Sequence, residues 1–249
     1  GELNEALPVI GELSWALASN TVLDILGKYV GKALRKLNLN KAADKATAIS
    51  KWAHENEKKM ISTIDKALQE SVSLTNVLAN SEEIKSQISS IVKKCIHCFN
   101  NKGKVLFCGN GGSAADAQHI AAELSGKFLK KRPALYAEAL HVNSSFMTAV
   151  ANDFGYENTY SRMIEAIGSE QDILFAISTS GSSENVVNAI KKAKEKSMIT
   201  IGLLGVNRTI MNDYCDITIN IPSNNIARVQ ESHIKIGHII CQIIEEKLF

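Results

Sequence analysis

The chain has 249 residues, 45% of them apolar and 22% charged, and its 28 Lys and Arg against 26 Asp and Glu leave a net charge of +2. That length and apolar content suit one sizeable α/β domain with a small appendage. A near-neutral charge without a long lysine–arginine run argues against a nucleic-acid partner, and no apolar run approaches the roughly 20 residues that a membrane span requires.

Residues 1–59 are rich in Ala, Leu and Lys and contain nothing resembling a strand. A helical period runs through "TVLDILGKYVGKALRKL" (21–37), and a second helix is predicted in "KAADKATAISKWAHENEKK" (41–59), joined through Asn38-Leu39-Asn40. This segment reads as a helical extension of unassigned role that packs or oligomerises; a fused or added segment would look the same, and a basic amphipathic helix also suits a membrane surface. Glu2, Glu5 and Glu12 give its start none of the basic character of a secretory signal.

From Met60 to Phe249 the pattern is orderly and reads as one domain. Helical periodicity covers 60–79 and 82–100. Short β-rich runs then alternate with helical segments: "KVLFCG" (104–109), "ALYAEAL" (134–140), "DILFAIS" (172–178), "ITIGLLG" (199–205) and "DITINIP" (216–222). Helices are predicted near 113–127, 143–152, 158–168, 183–196 and 225–248. Strands alternating with helices, and nearly continuous apolar in their interiors, predict a parallel sheet covered on both faces. Cys95, Cys98, Cys108, Cys215 and Cys241 are odd in number and mostly set in apolar-periodic surroundings, as in a reduced, cytoplasmic protein. Cys95 and Cys98 spell C-x-x-C, but within a helical pattern and without a second pair.

Ligands of open parallel sheets bind beyond the carboxyl ends of the strands, and two of those ends are unusual. Gly109-Asn110-Gly111-Gly112-Ser113 leads from the first strand into a helix. Its glycines allow a sharp turn and close backbone approach, and the helix N-terminus behind them favours an anion or polar oxygen. The pattern also fits the short dinucleotide fingerprint, but no acidic residue ends the second strand where a ribose partner belongs, and no Gly-Lys-Ser/Thr follows for a Walker loop. The second end is Ser178-Thr179-Ser180-Gly181-Ser182-Ser183. Helix capping needs one or two hydroxyls; five around one glycine form a dense donor set for phosphate.

His119 and Glu123 are four apart on the helix leaving the glycine turn and share a face. Such a pair serves as metal ligands, as an acid/base pair or as a surface pair. Gln230 and His238 lie in the last helix, whose Ile234, Ile236, Ile239, Ile240, Ile243 and Ile244 are predicted core. Gln230 and His238 are eight residues apart, roughly 12 Å along an unbroken helix. One ion meets both only if the side chains lean together or a neighbouring subunit supplies one.

"CGNGGSAADAQHIAAELSGKF", "ANDFGYE", "ISTSGSSENV" and "RVQESHIKIGHI", in this order, resemble the phosphoheptose (sedoheptulose-7-phosphate) isomerases of the SIS fold, over about residues 60–249. The resemblance implies a three-layer α/β/α, flavodoxin-like fold with a five-stranded parallel sheet, and a homotetramer with sites at subunit interfaces. It implies interconversion of sedoheptulose 7-phosphate, a phosphorylated seven-carbon sugar, with D-glycero-D-manno-heptose 7-phosphate. That is the first step toward the ADP-heptose of lipopolysaccharide or surface polysaccharide. It further implies one zinc per subunit, with His119, Glu123, Gln230 and His238 as ligands. Asn110, Gly111, Gly112 and Ser113 of the glycine turn, with Asn152 and Asp153, would contact substrate, as would Glu123 and Gln230. Ser178, Thr179, Ser180 and Ser183 would hold phosphate. Ala227 departs from the acidic residue that some members carry just before the "RVQE" stretch. Aldose–ketose exchange through an enediol needs a base at carbon and an acid at oxygen; Glu123 is assigned as base and His238 as acid. A non-catalytic SIS relative, acting by protein binding as the replication initiator-associating type does, is the alternative, and it would not need the His119, Glu123, Gln230 and His238 set.

Overall fold

The computed structural model describes residues 20–249, with side chains from Gly27 onward; residues 1–19 of the expected helical extension lie outside the described residues. Helix α1 (Asn20–Lys36) is followed by α2 (Asn40–Asn80). The turn between them uses Asn38 in the left-handed region, φ 56°, which a short polar side chain tolerates. The two helices pack antiparallel and very close: Gly27 lies against Ser50 and Gly31 against Thr47, with little or no room for a Cβ at either glycine. The chain divides into two compact units, one ending at Glu70 and the other running from Ser71 to Phe249. Helix α2 itself passes through position 60 without a break.

The second unit holds the remaining elements in chain order: α3 (Glu82–Asn100), β1 (Val105–Gly109), α4 (Gly112–Ser125), β2 (Ala137–Ala139), α5 (Ser144–Phe154), a short 3₁₀ turn (Tyr156–Asn158), α6 (Thr159–Ile167), β3 (Ile173–Ser178), α7 (Glu184–Glu195), β4 (Ile199–Leu204), α8 (Ile210–Tyr214), β5 (Ile217–Asn220) and α9 (Ile226–Leu248). The five strands are parallel in the order β2-β1-β3-β4-β5. Successive side chains of a strand point to opposite faces, and here both faces are covered. Val105, Phe107, Ile173, Phe175 and Ile177 join Ile91, Ile120, Leu124, Ile236 and Ile240 of α3, α4 and α9 on one side. Leu106, Cys108, Leu174 and Ala176 meet Tyr160, Ile164, Val186 and Ile190 of α6 and α7 on the other. Phe107 and Phe175 stack across β1 and β3 at 4.9 Å. This is the three-layer α/β/α arrangement.

Two local features differ from the periodicity reading. Only Ala137–Ala139 pair as β2; earlier in the predicted run Leu135 N donates to the Leu124 carbonyl of α4 instead. Helix α8, five residues long, is too short to show a period. The isoleucines of α9 also divide: Ile236, Ile240 and Ile244 are buried, whereas Ile239 is 39% exposed. Among the described residues no helix is long and apolar enough to cross a membrane, and all five cysteines are free, with Cys95, Cys98, Cys108 and Cys241 buried.

The amino end of the sheet, at the central strands, is closed by a buried charge. Asp172, 1% exposed, accepts from the Lys104 ammonium at 2.6 Å, from Lys104 N at 2.9 Å, and from Ser169 N and Oγ at 2.8 Å each. Burial by itself would raise this carboxyl, but the Lys104 and then the Ser169 donors outweigh it and hold it below the ordinary carboxylate range. His233 is fully buried and burial drives it down to about 4. In both cases the unfolded chain takes up the proton at higher pH than the native one, so stability falls with falling pH. The His233 share drains between about pH 6.5 and 4, and the Asp172 share below the ordinary carboxylate value of about 4. Urea titrations at pH 7, 5 and 3.5 should show this fall. Asp172→Asn should cost about 3–5 kcal/mol at pH 7, as for a broken buried pair, and flatten the fall below pH 4. Unchanged stability of that variant at pH 7 would show that the pair contributes nothing.

Candidate active site

The connections from β1 and β3 run to opposite sides of the sheet, so the crevice between their carboxyl ends is the topological switch point where ligands of such sheets bind. Gly109 pairs with Ile177 in the register that brings these two ends side by side. The glycine turn and the hydroxyl turn therefore face one crevice.

Gly109 has no room for a Cβ, which would overlap the Ser113 backbone and the Ile177 carbonyl. Gly111 takes φ 56° as the N-cap of α4 and faces open space. Ser113, buried, donates its N–H back to the Asn110 carbonyl at 3.0 Å. The Asn110 side chain is engaged at both its amide nitrogen and its oxygen. It exchanges two amide hydrogen bonds with Asn185 at the start of α7, at 2.8 and 2.9 Å, and its Oδ1 also accepts from the Tyr156 hydroxyl at 3.1 Å. This amide pair knits the glycine turn to the helix behind the hydroxyl turn. Buried Tyr160 donates to the Gly109 carbonyl and fixes the same turn from α6.

In the hydroxyl turn, Ser178 Oγ lies 3.4 Å from both Ser180 Oγ and Ser183 Oγ and accepts from Gly181 N at 3.0 Å. Three hydroxyls thus converge at the N-terminus of α7, with Thr179 half-buried beside them. Gly181, at φ 64°, rests on Thr209, whose side chain would collide with any Cβ there. Asn152 and Asp153 lie exposed at the end of α5, and Asn152 donates to Asp153 at 2.8 Å. Ala227 lies in the first turn of α9, where its N–H is capped by the Asn225 side chain.

Helices α4 and α9 run side by side in the same direction. Gln230 lies over Gly112, filling the place a Cβ would take, and about two helical turns on, Gly237 admits Ile120 in the same manner. The flanking His119 and His238 meet there: their Nε2 atoms are 2.9 Å apart, and His119 Nε2 is 3.1 Å from Glu123 Oε1. Phe128 packs its ring 5.7 Å from that of His238. One ligand atom from each of His119, Glu123 and His238 falls within 4.8 Å of the others. Two imidazole lone pairs cannot face each other at this distance without a proton or a cation between them. Tetrahedral ligands of a zinc-like ion stand about 3.3 Å apart, so the donor set fits such an ion in number, type and spacing. Gln230 stands about two turns from His238 on the unbroken α9, at the glycine turn and not in this group. Asp116, one turn before His119, keeps Oδ2 shut from solvent without a hydrogen-bond partner; burial pushes its carboxyl up to about 6 against the opposing pull of His119.

Residues 71–205 match the SIS domain family. Phosphoheptose isomerase 1 of Campylobacter jejuni is 48% identical over 187 residues, covering 75% of this chain and 99% of the relative. The chain belongs to the phosphoheptose isomerase family. The phosphoheptose isomerase of Clostridium acetobutylicum is 47% identical over 186 residues, 75% of this chain and 95% of that one. The solved phosphoheptose isomerase of Francisella tularensis superposes with a TM-score of 0.72 at 35% identity, covering 75% of this chain and 98% of its own. Membership of a phosphoheptose isomerase family makes the chain an isomerase and does not favour the non-catalytic alternative.

Tyr156, Asn185, Thr209 and Asp116 are residues of this phosphoheptose isomerase that reading the sequence did not single out. Asn185 had a signal: an amide in the first turn after a run of hydroxyls suits an anchoring role. The other three are recognised only by what they touch. Because the atoms crowding Gly112 are the movable end of Gln230, Gly112→Ala should keep or slightly raise the melting temperature, Ala being the better helix former by up to about 1 kcal/mol. It should displace the Gln230 amide and cut turnover by about 10- to 100-fold, as misplacements of the order of 1 Å do. Full turnover in a variant of unchanged stability would show that the position of Gln230 is immaterial.

Proposed function

We propose that this isomerase interconverts sedoheptulose 7-phosphate and D-glycero-D-manno-heptose 7-phosphate, with Glu123 and His238 carrying the proton transfers. One observation carries the reading. A carboxylate and two imidazoles meet within 4.8 Å on the helix that leaves the glycine turn, together with a helix from the far end of the chain. In the ketose direction Glu123 takes a proton from C1 while His238 gives one to the C2 oxygen, leaving the enediol. Glu123 then returns its proton to C2 while the C1 hydroxyl gives its proton back to His238 and its C–O bond becomes the aldehyde. Substrate and product have the same composition, and no electron acceptor is needed.

Phosphate is assigned to Ser178, Thr179, Ser180 and Ser183, supported by the three converging hydroxyls and the helix N-terminus behind them. Gly111 and Gly112 offer backbone N–H groups to the sugar and Ser113 its hydroxyl, and Asn152 and Asp153 offer polar ends from α5. Gln230, over Gly112, is better placed for sugar than for the metal; Asn110 serves by holding the two turns together. His119, Glu123 and His238 would hold a zinc-type cation, which when bound supplies positive charge to polarise a carbonyl and steady an enediolate. Assembly as a homotetramer, with Gln230 of one copy able to complete a neighbour's ligand set, is supported by an apolar groove of about 650 Å³ lined by Leu78, Ile84, Ile88, Val92, Ile96 and Ile239. A cytoplasmic place in heptose supply for surface polysaccharide follows from the substrate, and residues 60–249 suffice for the chemistry.

Glu123→Gln retains size and hydrogen bonding but removes the proton acceptor, so kcat should fall about 100- to 10,000-fold with substrate still bound. Metal content measured beside it separates the roles: zinc retained with turnover lost supports the base, whereas activity restored by added zinc reduces Glu123 to a ligand. Ser180→Ala or Ser183→Ala should chiefly raise KM, each hydrogen bond to a charged group being worth about 1.5–3 kcal/mol. Equal affinity of the unmodified protein for phosphorylated and dephosphorylated sugar would remove the phosphate assignment.

A further inference from the structure

We infer that Arg132 and Glu245 are positioning residues of this site: they fix the end of α4 and the segment after it against α9, and so set the separation of Glu123 from His238. The inference rests on the proposed proton-transfer reading. Arg132 and Glu245 are 1% and 2% exposed, and the Arg132 Nε donates to Glu245 Oε1 at 2.9 Å. The rest of the guanidinium grips the last turn of α4. Nη2 donates to the Glu123 carbonyl at 2.8 Å, and Nη1 to the carbonyls of Leu124 at 2.9 Å and Pro133 at 3.0 Å. The Glu245 carboxylate collects the N–H groups of Phe128 at 3.2 Å, Leu129 at 2.8 Å and Lys130 at 2.7 Å.

Each end of this cluster touches the site. Arg132 holds the main chain of Glu123 itself. Glu245 holds the main chain of Phe128, whose ring packs on His238. Glu245 also follows His238 by seven residues, about two turns, on the same side of α9. Burial would raise the Glu245 carboxyl, but the N–H groups of Lys130, Leu129 and Phe128 and then Arg132 hold it below the ordinary range, so the charge persists where it is set. A buried ion pair is generally no more stabilising than an apolar pair of the same volume, so its stability alone does not account for it. Its placement does. An arginine fork spans one carboxylate and several carbonyls at once, whereas a lysine delivers a point charge. The hydroxyl turn shares no hydrogen bond with the cluster, so phosphate binding should be indifferent to it.

The test uses the full chain with Arg132→Lys and Glu245→Asp, read by kcat, by KM, and by titration with cobalt(II), whose visible absorption reports ligand geometry. Supporting groups around a metal-type site typically govern about 10- to 100-fold in affinity or activity. We expect each variant, folded, to lose that factor in kcat and in cobalt affinity, with an altered cobalt spectrum and KM little changed. Folded variants with unchanged kcat and cobalt spectrum overturn the inference, as does a rise in KM alone. Failure of both variants to fold also overturns it, by making the pair a folding element only. Unmodified protein that binds cobalt but does not turn over sedoheptulose 7-phosphate would refute the isomerase reading and leave the cobalt titration to decide the pair. Unmodified protein with neither property sinks both.

Discussion

The parallel packing of α4 and α9 against one face of the sheet is the constraint on which the site depends. Three points of close approach define it: Gln230 over Gly112, Gly237 against Ile120, and Glu245 with the main chain beyond α4. Two of the three work because a glycine removes a side chain. Helices separated by the usual 8–10 Å need such gaps if polar groups of two different segments are to come within hydrogen-bond distance. The pairing of His119 with His238 across 119 positions of sequence is the chemical result. Without α9 lying parallel and close, His119 and Glu123 would be an ordinary i, i+4 surface pair.

The second element of the site is held by different means. Its two turns are joined by neutral groups: the reciprocal amides of Asn110 and Asn185, the Tyr156 and Tyr160 hydroxyls, and Thr209 under Gly181. The ionisable side chains His119, Glu123, Arg132 and Glu245 gather instead on the α4–α9 side.

Much of this architecture is visible in the sequence because burial on both faces forces unbroken apolar runs in β1, β3 and β4, and because glycine and hydroxyl clusters are rare enough to mark strand ends. His119 and Glu123 are legible as a pair through helical spacing. What is not legible is any relation set by distant packing. Arg132 and Glu245, 113 positions apart, look like surface charges in the sequence, and nothing local says that they are buried. Asn110 reads as a ligand contact because it stands in the turn, whereas its tie to Asn185, 75 positions on, is set by packing and is not legible. Gln230 and His238 stand about two turns apart on the unbroken α9, at successive points of its approach to α4. The short β2 and α8 escape notice because three and five residues carry too little period.

The burial of the thiols has a bearing on how the molecule is observed. Cys98 and Cys241 are pushed up to about 12 by burial, with Cys95 raised well above its usual value for the same reason. At neutral pH these sites carry almost none of the thiolate that reacts. The native second unit is therefore nearly silent toward alkylating reagents and mild oxidants, and becomes reactive only as its layers separate. Its cysteines act as timers of opening. Those of α3 and α9 report the layer that carries His119, Glu123 and His238, and Cys108 and Cys215 report the opposite face.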